Sequence, residues 1–134
     1  MIIYLSLFFY LKMMKQNLVI ICLLGALTIL LGAFGVHSLE ESLTSQELKS
    51  FETAVKYQMY HVIVLLFVNT TSKFSDRSKK LITYILFAGI ICFSGSIYTI
   101  TLGADASYIW FVTPIGGLLF VLGWLKMGLD LYKK

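Results

Sequence analysis

Charge is what this chain has least of. Across its 134 residues, Asp, Glu, Lys and Arg together make up 13%, against 58% hydrophobic residues, and the mean hydropathy is +0.84. Ordinary soluble domains carry about twice that share of charge. The composition therefore argues against a soluble enzyme, a disordered tail and a nucleic-acid binder together, although the net charge is +4. Proline occurs once, so little interrupts long helices. Cys22 and Cys92, the two cysteines, match no metal or redox spacing and do not suffice for a disulfide-built secreted scaffold; buried free thiols are expected. Carboxylates are missing from the interior of every apolar run, since Glu40, Glu41, Glu47, Glu52, Asp76, Asp105 and Asp130 fall in loops or near helix ends. That counts against a proton-coupled exporter, which needs an acid inside the bilayer. No phosphate-binding loop, H-E-x-x-H, C-x-x-C or serine nucleophile elbow occurs either, and no cofactor or metal is expected.

What the chain does have is apolar runs of helical length. A crossing needs roughly 20 apolar residues. Four are expected, at about residues 18–36, 54–69, 81–104 and 108–125, giving an all-α integral membrane four-helix bundle over residues 14–134. The second run is short, but Thr44 and Glu47 form a capping-box signature, and Leu48, Phe51, Val55 and Met59 follow at three- and four-residue spacing. One helix over about residues 45–69 is therefore expected, its first turns at or above the membrane surface. Pro114 lies in the early turns of the fourth span, where the missing N–H matters least.

Four crossings put Lys12, Lys15, Lys73, Arg77, Lys79, Lys80, Lys126, Lys133 and Lys134 on one side and only Lys49 and Lys56 on the other. Nine against two predicts both termini in the cytoplasm of a multi-pass plasma or inner-membrane protein. Tyr108, Trp110 and Trp124 then mark the two interfaces. Asn69, Thr70 and Thr71 form a glycosylation-type triplet that falls at the cytoplasmic end and is read as chance. Residues 2–11 are apolar but too short for a span, and their positive charges come after them, where a signal peptide has them first. Met13 or Met14 is the expected natural start, with residues 1–13 an upstream extension.

Spans associate through close backbone approach and a few polar contacts, because lipid competes equally for apolar side chains. Three small-residue faces are the expected seams: Gly25, Thr28, Gly32 and Gly35; Gly89, Cys92, Ser96, Thr99 and Gly103; and Gly116 with Gly123. Polar residues inside spans are few. His37, Tyr57, Gln58, His61, Tyr98 and Thr113 fall at similar depths when turns are counted, which predicts a polar layer in the outer leaflet. Such a layer serves interhelical hydrogen bonding, or else ligand binding or proton relay through His37 and His61. Glu52 and Lys56 are spaced for a helix-steadying pair.

GAFGVH at residues 32–37, FETAVKYQMYH at 51–61, FSGSIY at 93–98 and TPIGGLLFVLGW at 113–124 together resemble the YgdD/YwdK-like family of small multipass bacterial membrane proteins, in the same order and spacing. Val36 replaces the Ala usual in the first block. The resemblance implies a four-helix inner-membrane protein with a domain of unknown function, and its members begin just before the first span; it supplies no catalytic residues. The function expected is that of a non-enzymatic accessory or interaction protein embedded in the lipid bilayer, with a membrane-protein partner or a homo-oligomer and no nucleic acid. The rivals are a small-solute transporter or channel and a cofactor-binding membrane enzyme subunit.

Overall fold

The computed structural model describes residues 2–133, with side chains described for residues 15–33, 35 and 37–133. The expected extension at residues 1–13 and the start at Met13 or Met14 involve Met1 and side chains outside the described residues. Every regular element among the described residues is helical: α1 (Ile2–Leu39), α2 (Ser45–Thr70), α3 (Asp76–Ile90), a π-helical turn (Ile91–Gly95), α4 (Ser96–Thr101), α5 (Ala106–Ile109) and α6 (Val112–Tyr132). The backbone of α1 is continuous with the segment before the first expected span.

Caps set the boundaries. Thr44 accepts from the Glu47 amide at 3.3 Å while the Glu47 carboxylate takes the Thr44 amide at 2.8 Å, so the capping box forms as expected and opens α2. Ser75 caps α3 through the Ser78 amide at 3.2 Å, which begins that helix at Asp76, earlier than the apolar run. The third span ends in a Schellman turn: Gly103 takes a φ of +99°, and the Gly103 and Ala104 amides return to the Ile100 and Thr99 carbonyls. Small-residue spacing assigns Gly103 to a packing seam; a Cβ there would meet nothing within 4 Å, and its role is this turn. Between α5 and α6 the helix breaks at Trp110 and Phe111, one turn before Pro114, whose ring excludes a regular approach of the Trp110 carbonyl.

Consecutive long helices pack antiparallel: α1 on α2, α2 on α3 with its continuation into α4, and α3 with the π-turn on α6. A Cβ on Gly25 would touch Val62, one on Gly32 would touch Val55, and one on Gly35 would strike the Phe51 ring, so each step along α1 is a step back along α2. The α3–α6 seam is tighter. A Cβ on Gly116 would lie 2.3 Å from the Phe93 amide nitrogen, one on Gly89 2.7 Å from the Phe120 ring, and one on Gly123 2.4 Å from Leu86. Thr28 and Ser96 are buried on these seams as expected. Thr99 is exposed and Cys92 only half-buried, so neither is buried on a seam. Cys22 is exposed on α1, against the expectation of a buried thiol.

The core gathers Ile21, Val62, Leu65, Ile82, Leu86 and Phe120 between the helices. Outside it the apolar side chains turn outward: Leu23 is 65% exposed, Ile29 64% and Ile91 68%. An apolar exterior of this extent is stable in hydrocarbon and not in water. Among the described residues three segments, Lys15–Ala33, Asp76–Thr101 and Ala106–Tyr132, are long and apolar enough to cross a membrane. Helix α2 is not among them: charged residues fill its first half, and Lys56, Gln58, His61 and Asn69 lower the hydropathy of the rest.

Candidate functional site

Polar side chains from three helices form a one-way chain of hydrogen bonds. The Tyr98 hydroxyl donates to Gln58 Oε1 at 3.0 Å, Gln58 Nε2 donates to Thr28 Oγ1 at 2.7 Å, and the Thr28 hydroxyl donates to the Leu24 carbonyl at 2.7 Å. Gln58 is thus the bridge between α1 and α4, with each end of its amide used. The π-turn makes a further tie possible. An α-helix advances about 100° per residue, and the wider turn re-aims the side chains beyond it. Ser94, fully buried, donates to the Ala54 carbonyl at 2.8 Å, and Tyr98 reaches the same helix one turn on. Ser96 faces α6 instead, where its oxygen lies 2.6 Å from Thr113 Oγ1. Since Ser96 donates to the Phe93 carbonyl at 3.0 Å, Thr113 supplies the hydrogen.

His61 ties α2 to α6. Its Nδ1 lies 2.7 Å from the Tyr57 carbonyl, which only accepts, so Nδ1 carries the proton. Nε2 then accepts from the Trp124 indole N–H at 3.3 Å, and the imidazole stacks on Phe120 with ring centroids 3.5 Å apart. Both ring nitrogens of a neutral histidine are occupied.

Of the six residues expected in one layer, Gln58, Tyr98 and Thr113 take part in interhelical hydrogen bonds, and His61 forms its own bridge with Trp124. Tyr57 joins through its ring, stacked among Phe93, His61 and Phe120, and its backbone carbonyl. His37 does not join: it is exposed near the end of α1, and no hydrogen bond or ring contact among the described residues ties it to the layer. Turn counting misplaces it because a helix end carries side chains outward as readily as inward. Trp124 makes a contact that the sequence does not show: helix α6 runs on to Tyr132, and Trp124 lies in mid-helix beside His61.

Several participants go unread in the sequence. Asn69 is buried and donates to Thr83 Oγ1 and to the Leu65 carbonyl, each at 2.9 Å, which locks α2 to α3 and removes the amide from any glycosylation chemistry. Its signal is a lone Asn ending an apolar run. Ser94 looks like one more small residue, and the π-turn that aims it has no sequence mark. Near the end of α6 Lys126 pairs with Asp130. At the opposite end Glu52 and Lys56 form the expected exposed pair at 3.8 Å. The hydroxyl of Thr44 holds the Glu47 carboxyl below its ordinary value, and the Ser107 amide does the same for Asp105 at the start of α5. Among the described residues no three His, Cys, Asp or Glu side chains converge as metal ligands.

Sequence comparison places these features in a family. The profile described as "Protein of unknown function (DUF423)" matches residues 31–117, which hold Gln58, His61, Ser94 and Tyr98. A UPF0382 membrane protein of Staphylococcus saprophyticus is 39% identical over 83% of this chain and 95% of its own length. A UPF0382 membrane protein of Haemophilus influenzae is 33% identical over 90% and 97%. The UPF0382 membrane protein YwdK of Bacillus subtilis is 32% identical over 85% and 94%. No solved structure matches. These names state a membrane location and no activity, and the expected resemblance holds: the chain belongs to the DUF423 family of YwdK-like membrane proteins.

Proposed function

We propose that the protein is a non-enzymatic accessory or interaction protein of the plasma or inner membrane, a bundle of four crossings with both termini in the cytoplasm. Hydrocarbon surrounds α1, α3 with α4, and α6. Helix α2 lies among the others, so its Gln58, His61 and Asn69 face protein and its modest hydropathy does not prevent it from crossing. The lysine and arginine asymmetry supports the orientation.

The observation that carries the functional reading is the complete use of the buried polar groups. Among the described residues no buried side-chain nitrogen or oxygen lacks a hydrogen-bond partner. Gln58, Ser94 and Tyr98 spend their polar atoms on neighbouring helices, and His61 has no free ring nitrogen for acid–base work or for a passing ion. Such a layer specifies packing and leaves the outward faces for partners.

The full-length protein in sealed vesicles containing a pH-sensitive dye should give the same proton and small-cation flux as protein-free vesicles. Benzoylphenylalanine placed at Leu23, on the open face of α1, should crosslink in native membranes to one membrane protein or to a second copy, giving an adduct of fixed mass. Saturable flux abolished by Gln58→Leu would instead establish the transporter reading.

A further inference from the structure

Charge divides between the two ends of the bundle. The end holding the α1–α2 and α4–α5 turns has Glu40, Glu41, Glu47, Glu52 and Asp105 against Lys49 and Lys56. The opposite end, where α2 passes into α3 and α6 finishes, has Lys73, Arg77, Lys79, Lys80, Lys126 and Lys133 against Asp76 and Asp130, and Asp130 is taken up by Lys126. Two acids leave this end with an excess of positive charge among the described residues. Part of that excess is laid out along α3 where the helix enters the membrane. Arg77, Lys80, Leu81 and Tyr84 are spaced i, i+3, i+4 and i+7, so they form one stripe, and all four are exposed, Leu81 by 44% and Tyr84 by 61%. Ile91 continues the stripe two turns deeper. The buried Phe74 and the Ser75 cap fix this end of α3, so the two cations stand on a rigid helix.

Lysines at a membrane boundary ordinarily extend their heads away from hydrocarbon into water. Lys80 does the reverse: its Nζ lies 5.9 Å from the centre of the Tyr84 ring, one turn deeper along the helix. The stripe therefore runs from cations through an aromatic ring to aliphatic surface, the order in which a phospholipid presents its phosphate, glycerol esters and acyl chains. We propose that this stripe binds an anionic phospholipid. Its phosphate lies between the Arg77 guanidinium and the Lys80 ammonium, and one acyl chain runs over Leu81 and Tyr84 toward Ile91. A zwitterionic lipid carries its own cation and gains less from the pair. A soluble phosphate has nothing to lay on the apolar half. The proposal requires only that α3 crosses, and holds whichever side of the membrane its first turn faces.

Full-length protein in a neutral detergent, mixed with equal amounts of phosphatidylglycerol and phosphatidylcholine of the same acyl chains, should retain phosphatidylglycerol in native mass spectra at least about tenfold over phosphatidylcholine. Arg77→Gln combined with Lys80→Gln should weaken phosphatidylglycerol about thirtyfold, as loss of two charges beside an anionic head group requires. Lys73→Gln combined with Lys133→Gln removes the same charge from the same end but off the stripe, and should weaken it by no more than about threefold. Glycerol phosphate, which has the head group without the chains, should not displace the lipid at equal concentration. All four substituted side chains are exposed, so circular dichroism should be the same in both double variants and the unaltered protein. The comparison of the two lipids uses the unaltered protein and decides the proposal even where a variant fails to fold. Equal retention of the two lipids, equal weakening by the two double substitutions, or displacement by glycerol phosphate would each overturn it.

Discussion

Gln58 joins three helices through one amide group, and its replacement should be felt at both ends. Gln58→Leu keeps the volume but strands the Tyr98 hydroxyl and takes a donor from Thr28. Unfolding in detergent should show a loss of about 1–2 kcal/mol, and a double-mutant cycle with Tyr98→Phe should give a coupling of about 0.6–1.7 kcal/mol, the range found for hydrogen bonds between membrane helices. Additive effects would mean that the two side chains do not meet. At this scale the sequence is informative about identity and poor on geometry. Gln58, His61, Tyr98 and Thr113 are legible because a polar group inside an apolar run must find a partner in protein. Which partner is not legible: Trp124 reads only as an interface residue although it reaches His61, and Asn69 reads as part of a chance triplet when it ties α2 to α3.

Elements depend on their ends and on the few positions where backbones touch. For α2 the device is the Thr44–Glu47 box. Glu47 ionises below its ordinary value in the folded chain, so its contribution is present above the unfolded glutamate value and disappears as pH falls through the lowered folded value. Amide exchange in the first turn of α2 should accelerate on acidification, relative to the rest of the helix, and Glu47→Gln should remove that pH dependence. For the α3–α6 pair the device is Gly116. A side chain there meets the Phe93 backbone, which cannot rotate away, so Gly116→Leu should destabilise by about 1–3 kcal/mol or more, or prevent accumulation, whereas Gly128→Leu, with nothing within 4 Å, should be tolerated. Thermal unfolding of the two purified variants makes the comparison. Helix existence and most seam glycines are readable from apolar run length and small-residue spacing. The π-turn is not, because its residues, Ile91–Gly95, are compatible with an ordinary α-helix and only the packing of Phe93 and Ser94 against two neighbours selects the wider turn.

For the whole molecule, hydrocarbon takes the place of an aqueous exterior, and the crossing number depends on whether α2 spans. Among the described residues three helical segments qualify by their own apolarity, and three crossings would leave the termini on opposite sides. Four require α2 to cross while charged in its first turns and sheltered thereafter by its neighbours. The ends of α2 are the place to decide. Single cysteines introduced as Ser45→Cys, Ser72→Cys and Ser107→Cys, each in a background lacking Cys22 and Cys92, should be treated with an impermeant thiol reagent on intact cells. Labelling of the first and third, with the second reached only after permeabilisation, is the result predicted. Matching accessibility at positions 45 and 72 would place both ends of α2 on one side and contradict the four-crossing account.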